Sequence, residues 1–532
     1  MKKAYTLIAI VLIVIIAISG GIYWWYQQQK PPTETNTLIV AFASDPSSFD
    51  PAVVFDDSII QMGMIYETLT RVTPKGEVLP WLASSWEVSE DGLEWIFHLR
   101  EGVKFHDGTE FNASAVKFSF ERVLAINKGG AYMLYCIDHM EVVDRYTIKI
   151  YLKYPARLDL IVGGVYTTYI VSPSYVKKHA TQDDPWAEEW MTEHACGTGP
   201  YKLAEWVHGQ YVLLEKFDNY WGGWEGKHVE KVIIKAVREA TTVETLLKAG
   251  EIDVAFYEIP AEKIKEMQES GQFQVLIFPT YHTIYLRINT LKPPCNNVLD
   301  RKALCYAFPY DDVIETAYGG FAQRLYGPLP QGMWGSPAPE ELPTYEYNLT
   351  KAKELLAQAG YPNGGFTIDF YYYSGNEPMR RIAELYADSL SQIGITLNAR
   401  AFPFDELFPL CVNPDTAPHI SAHDWWPSWA ADPYDFLYGM FHSDAIGIFN
   451  WSFYNNSEVD QLMDEANEIS VVNKTKAVEL YKEAQTKILE DAVTIYVAQV
   501  QRVIILQKWV HGYEFNPNYE YRIDYYAIYK GS

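Results

Sequence analysis

Aspartate, histidine and tryptophan are the residues of this sequence whose placement could do chemistry, and each group also has a plain structural use. His106 and Asp107 are adjacent. An imidazole beside a carboxylate can move a proton, but Asp107-Gly108 is also the composition of a tight turn, and turn chemistry is the better account. Asp56 and Asp57 follow Phe55 and precede Ser58. Two carboxylates there suit either a ligand or the positive end of a helix. Trp425, Trp426 and Trp429 crowd one short stretch that also holds Asp424 and Asp432. Indole faces bury the apolar faces of sugar rings, or simply pack between lobes. His419 and His423 are four residues apart and His442 lies nineteen further on. That spacing is no compelling ligand set, and no metal is expected. The five cysteines show no CxxC or His/Cys pattern. Cys136 with Cys196, or Cys295 with Cys305 or Cys411, could pair outside a cell, and an odd count leaves one thiol over. GxSxG, HExxH and Cys/His nucleophile signatures are missing. A glycosidase-type carboxylate pair cannot be singled out in so acidic a chain. The expectation is a protein that is not an enzyme and carries no cofactor, with an extracellular hydrolase as the rival class.

The elements that position these residues must come from a long chain. Its 532 residues suggest two or three domains, and a hydrophobic share of 48% suits a folded protein. A net charge of -25, spread along the chain, excludes a nucleic-acid partner. Aromatic residues make up 15% of the sequence, enough for a cleft built from flat faces as well as for packing. Lys2 and Lys3 precede an apolar run from Ala4 to Ile22, followed by Tyr23, Trp24, Trp25 and Tyr26. Such a run rises about 28 Å as a helix, close to the bilayer core. The lysines belong in the cytoplasm and the aromatic belt at the far face. An uncleaved single-pass anchor is preferred to a signal peptide cut near residues 18–21. Residues 27–37, with Pro31 and Pro32, read as a tether.

Periodicity predicts a strand over residues 37–43, a helix over 58–69 and a hairpin turning at Glu90-Asp91-Gly92. A helix is expected from Asn112 and a strand over 146–152. The strand–helix–strand run 231–237, 241–249 and 254–257 reads as a parallel βαβ unit. Helices are expected over 300–308, 351–359 and 379–393, strands over 366–372 and 396–401, one long helix over 458–489, and a final strand over 493–506. The class is α/β with antiparallel hairpins.

Four blocks in order carry a resemblance: SDPSSFDP (44–51), WLASSWEVSEDGLEWIFHLREGVKFHDGTEFNASAVKFSFERVL (81–124), GTGPYKLAEW (197–206) with FDNYWGG (217–223), and TIYLRINTLKPPCNNVLDRKALCYAF (283–308). Together they resemble the family 5 extracellular solute-binding proteins, the oligopeptide- and dipeptide-binding subunits of ABC importers, of an archaeal kind. The resemblance implies a two-lobed periplasmic-binding-protein-like fold (type II, with an extra subdomain). It divides the chain into an anchor or signal (1–26), a linker (27–37), lobe one (38–283, with an inserted subdomain about 55–195), lobe two (284–493) and a return to lobe one (494–532). Two crossover strands, near 281–289 and 494–502, would form the hinge on which the lobes close. The implied partners are a peptide or a short oligosaccharide, ABC permease subunits with their cytoplasmic ATPases, and the membrane through the N-terminal helix. The protein is expected to be a monomer with its binding domain extracellular or periplasmic.

In peptide-binding relatives an aspartate of lobe two neutralises the peptide α-amine. Aligning Asp432-Pro433 on the family's Asp-Pro puts Trp429 at that position, a departure that leaves a buried ammonium without its partner. Asp424, Asp432 or the Asp56–Asp57 pair could replace it. The ligand-lining residues implied are Phe55, Asp56, Asp57, Tyr132, Tyr281, Trp425, Trp426, Trp429 and Asp432. Peptide is the family default. The tryptophan cluster and the lost acid raise a cello- or manno-oligosaccharide as the alternative. A metal-chelate binder and a ligand sensor of the same fold are the further readings. The sequons at Asn112, Asn348, Asn450, Asn455 and Asn473 are candidate glycosylation sites.

Overall fold

The structure is a computed structural model that describes residues 36–54, 56–256, 259–425 and 432–531. The expected anchor and most of the expected linker, Phe55, Trp426 and Trp429 lie outside the described residues, as does the side chain of Trp425.

Two hydrophobic cores form. The first gathers residues from Leu38 to Phe256 and again from Ile504 to Ile528. The second gathers residues from Tyr281 to Ala498. The chain therefore builds one lobe, leaves it, builds the other and returns. One eleven-stranded sheet runs through both lobes. Strand Thr37–Phe42 is buried at every position. Its alternate residues face opposite layers, Leu38, Val40 and Phe42 the first core and Ile39 and Ala41 a smaller cluster. That cluster is closed by helices Ala240–Lys248 and Ala261–Ser270. The βαβ unit forms with one difference from expectation. Strands Lys231–Ala236 and Val254–Phe256 are not neighbours, because Thr37–Phe42 lies between them and pairs with both in parallel. Sequence order shows the crossover but not which strand it passes over.

The hairpin at Gly92 forms, with strands Ala83–Val88 and Glu94–Leu99 paired antiparallel. Gly92 sits at φ +70°, a left-handed conformation that a side chain would strain. Strands Thr147–Leu152 and Ile137–Asp144 complete a separate four-stranded sheet of the first lobe. The predicted helix over 58–69 shrinks to Ile59–Met62, because its apolar residues are buried all round rather than along one stripe. The single helix expected over 458–489 is two helices, Ser457–Ser470 and Lys474–Glu490. The Asn473 side chain caps the second by accepting from the Lys476 N–H. Asn112 and Asn348 cap helices in the same way. Asn450 is fully buried, with its amide bonded to His442 O and Tyr454 O. No disulfide forms: all five cysteines are buried free thiols.

Candidate ligand-binding cleft

Two long strands, Phe273–Ile288 and Thr494–Gln507, pair antiparallel across both lobes. Their ladder runs from Phe273 opposite Gln507 to Pro279 opposite Gln501, slips, and resumes at Thr283 opposite Gln499. The slip frees backbone groups that must find other partners. Gln499 supplies them: its Nε2 donates to Thr280 O and Gln331 O, and its Oε1 accepts from the Gln331 N–H. The Thr280 hydroxyl donates to Val500 O at 2.7 Å. The break lies at residues 280–282, at one end of the expected hinge strands.

Two ion pairs sit beside this break. His282 Nε2 lies 3.1 Å from Asp424 Oδ2. Asp424 is held by the strand Ile420–Trp425, whose residue 424 pairs with Ile284. Arg502, on the other long strand, pairs with Glu520 of the C-terminal segment, and its guanidinium covers Phe256 and Tyr521. Burial opposes charge on His282, yet the Asp424 bond and the nearby Glu520 carboxylate hold it above the usual imidazole value of 6.5. Burial likewise opposes charge on Asp424, and His282 overrides it and holds the carboxyl below 3.8. The histidine's share of stability is therefore complete below its ordinary value and lost as pH rises through the raised one. The aspartate's share is present above 3.8 and lost as pH falls through the lowered one. The unfolding midpoint should decline as pH is raised from about 6 to about 8.5, and His282→Gln should flatten that slope in a thermal scan. An unchanged slope would mean the pair does not titrate with folding.

The residues singled out from sequence fall in different places. Asp56 and Asp57 are exposed on the first lobe. Asp56 Oδ1 accepts from the Ser58 N–H and Oδ2 from the Ser47 hydroxyl, as expected at the start of a short helix. Their charges act on Tyr166, and that of Asp57 also on Tyr521. Tyr132 is 41% exposed on a single 3₁₀ turn, Ala131–Leu134. That turn follows Gly129, where an added Cβ would meet Val53 O at 2.8 Å, so it adjoins the segment leading to Phe55. Tyr281 is buried in the second core, its hydroxyl donating to Gly332 O. Trp425 ends the strand that pairs with Thr283. Asp432 is buried, and its Oδ1 accepts from the Tyr434 N–H at the start of helix Pro433–Phe441.

His106 is no proton relay. Its Nε2 lies 2.9 Å from Gly199 O, and burial pushes the imidazole down to about 4. Asp107 accepts from Thr109 and from the Ser172 hydroxyl. The other histidines are tied separately. His419 accepts from the Asp369 N–H. His423 lies against Arg287, and burial with that guanidinium pushes it down to about 3. No metal-binding group of His, Cys, Asp and Glu occurs among the described residues. Sequence reasoning missed His282, Arg502, Glu520 and Tyr166. The run of aromatic residues at the C-terminus was the available signal, and that segment does pack on the first lobe: the Tyr519 hydroxyl donates to Gly163 O and accepts from the Val72 N–H.

Away from the break the lobes also touch. Val471, at the tip of the helical hairpin, packs against the first core. Its Cγ1 lies 3.5 Å from where a Cβ on Gly92 would stand. A shallow space bounded by Trp86, Trp95, Arg157, Asp159, Val472 and Lys474 flanks this contact. Arg157 and Asp159 form a bidentate pair, and their charges, with that of Lys474, reach Asp432. Burial nonetheless raises the Asp432 carboxyl to about 6, and its Oδ2 has no hydrogen-bond partner among the described residues. A raised carboxylate costs stability in full above its folded value, and the cost fades as pH falls toward 3.8. Asp432→Asn keeps the helix cap. It should raise the unfolding midpoint at about pH 7.5 and give little gain at about pH 4. A variant less stable at the higher pH would show that Arg157 and Lys474 outweigh burial.

This architecture has known counterparts. The chain is 30% identical over 491 residues to a probable D,D-dipeptide-binding periplasmic protein, DdpA, of Escherichia coli K12, covering 91% of this chain and 92% of that one. It is 31% identical over 512 residues to heme-binding protein A of Haemophilus influenzae, covering 91% of each. Among solved structures, the periplasmic binding protein DppA of Helicobacter pylori in complex with the peptide STSA superimposes with a TM-score of 0.77 at 30% identity, over 93% of this chain and 98% of that one. The family model for bacterial extracellular solute-binding proteins, family 5, matches residues 77–447. With two cores, a shared sheet and a pair of continuous strands between them, the chain belongs to the family 5 extracellular solute-binding proteins of ABC importers.

Proposed function

We propose that this protein captures a dipeptide or oligopeptide between its two lobes and delivers it to the membrane permease of an ABC importer. The observation that carries the reading is the pair of continuous strands whose ladder breaks at residues 280–282 between two separate cores. A break there lets each lobe move as a body while the chain stays continuous. Two ion pairs, His282 with Asp424 and Arg502 with Glu520, involve residues of the two long strands near the break. Ligand touching both lobes would favour the closed arrangement by differential affinity. Lobe one comprises residues 38–283 with an inserted subdomain about 55–195, lobe two residues 284–493, and residues 494–532 return to lobe one, with Tyr281 and residues 495–498 of the crossing strands packed in the second core. Phe55, Asp56, Asp57, Tyr132, Trp425, Trp426 and Trp429 border the ligand, while Tyr281 and Asp432 support the walls. Residues 1–26 anchor the domain at the outer face of the membrane, and the exported part works as a monomer with a permease and its ATPases. The peptide assignment draws on the likeness to the peptide-bound DppA.

Native mass spectrometry of the exported domain, purified gently from its own host, tests this. A ladder of peptide masses is the expected result. Hexose-spaced masses would replace the peptide with an oligosaccharide stacked on the tryptophans, and turnover of the bound ligand would move the protein to the hydrolases.

A further inference from the structure

We propose that the seam where the helical hairpin meets the first lobe is a proton-responsive latch, in which Asp432 takes up a proton as the lobes come together and acid favours the closed arrangement. This rests on reading the two lobes as closing, and it adds a regulator of that motion rather than a further contact with the ligand.

The seam is a second place at which the lobes touch, away from the break in the long strands. Val471 at the hairpin tip packs against the first core. A space of ≈ 260 Å³ lies beside it, bounded by Trp86, Arg157 and Asp159 of the first lobe and by Val472 and Lys474 of the second. The charges of this space reach Asp432, at the start of helix Pro433–Phe441. Asp432 is 6% exposed. Its Oδ1 accepts from the Tyr434 N–H, while its Oδ2 is buried with no hydrogen-bond partner among the described residues. A carboxylate oxygen in that position is costly when charged.

The groups acting on Asp432 come from both lobes. Arg157 of the first lobe and Lys474 of the second favour its charged form, and Asp159 of the first opposes it. Arg157 is already held by Asp159 as a bidentate pair. Lys474 also answers Asp159 and Glu77 and lies over the Trp334 ring at 4.7 Å. Neither cation therefore serves Asp432 alone. The remaining titratable neighbours are Tyr481 of helix Lys474–Glu490, whose hydroxyl is buried and likewise unpartnered, and Tyr434 and Asp435 of its own helix. Asp464 acts on both tyrosines. Burial outweighs the cations and raises the Asp432 carboxyl to about 6.

Parting the lobes takes away Arg157 and Asp159 together, a pair with no net charge, and admits water on that side. The carboxyl then returns toward its ordinary 3.8. The closed arrangement thus holds a proton that the open one releases. The closed population rises as pH falls through the raised value, and the effect vanishes above about pH 7.

X-ray scattering in line with gel filtration, on the exported domain washed free of ligand, reads the balance of open and closed molecules. From about pH 7.5 to about pH 5.5 the closed-to-open ratio should rise about fourfold, seen as a smaller radius of gyration. Asp432→Asn, which keeps the helix cap, should hold the domain compact at both values. Lys474→Gln, an exposed change, removes a cation that favours the charged form and should enlarge the pH effect, which keeps the latch testable if the asparagine variant misfolds. A synthetic tri- to pentapeptide pool added at the higher pH separates the latch from the cleft. A radius that answers the pool but not pH would overturn the latch and leave the cleft reading standing. A radius that answers pH in the parent and not in Asp432→Asn, with no response to the pool, would uphold the latch and overturn the peptide. A pH response that persists in Asp432→Asn would pass the role to another group, His282 first, and overturn the latch. A radius that answers neither would overturn both.

Discussion

Glu67→Ala should lower the unfolding midpoint of the domain by about 8 °C or more. Glu67 is 1% exposed, and its carboxylate accepts four hydrogen bonds. Oε1 accepts from Trp81 Nε1 at 2.8 Å and the Tyr220 hydroxyl at 2.9 Å. Oε2 accepts from Trp221 Nε1 and the Thr198 hydroxyl, both at 2.8 Å. Each donor left unpaired in a buried setting costs about 1 kcal/mol or more, so four amount to about 4 kcal/mol. Arg71 lies over the Trp81 ring at 3.4 Å and adds a cation to the same cluster. Glu67→Gln should cost less, since one oxygen still accepts while the amide faces two donors. Thermal unfolding of the two variants beside the parent measures both. A midpoint within about 1 °C of the parent for the alanine variant would mean that water replaces the carboxylate and that the cluster does not hold the lobe together.

The largest expected effect on binding comes from a residue outside the cleft. Val471→Asp should weaken ligand binding about thirtyfold with the cleft left intact. Val471, of the second lobe, packs against the first core, a contact that parting of the lobes would break. In an open arrangement the new carboxylate would lie in water. In the closed one it would be pressed on Gly92 and Pro155 without a partner, at a cost of about 2 kcal/mol. That cost falls on the closed state alone, so the apparent affinity drops by the same factor. Calorimetry with the ligand identified by mass spectrometry, together with the radius of gyration from X-ray scattering with and without it, measures the change. The variant should stay expanded at ligand concentrations that compact the parent. An unchanged affinity would show that the Val471 contact does not distinguish the two arrangements.

The four sequence blocks illustrate what was legible and what was not. Their turns and strands could be read directly. Asp91-Gly92 turns a hairpin, Asp107-Gly108 turns between Phe105 and Thr109, and Asn112 caps a helix, because each is set by the chain within a few residues of itself. The failures have a common cause. The helix expected over 58–69 collapsed to one turn because apolar residues buried on every side carry no helical stripe. The helix expected over 458–489 breaks where Val471 and Val472 keep an apolar pattern across a hairpin tip, of which Val471 packs on the other lobe and Val472 stays exposed. Of the site residues, Asp56 and Asp57 could be named from sequence but their neighbours could not. Tyr166 arrives from about a hundred positions along the chain, and Arg502 and Glu520 from the returning C-terminal part.

By itself the sequence determined the class of fold and the order of most strands and helices, and its four blocks carried the resemblance that identified the family. These follow from periodicity, turn residues and blocks in fixed order, all local properties repeated along the chain. Only the tertiary structure decided why the blocks belong together. Asp50 of the first forms a buried bidentate pair with Arg122 of the second. His106 of the second bonds Gly199 of the third. Trp81, Thr198, Tyr220 and Trp221, drawn from the second and third, converge on Glu67. A buried charge or donor needs a partner, and nothing in the spacing along the chain says which of many will stand within 3 Å of it. That choice is made when the sheet brings distant segments side by side.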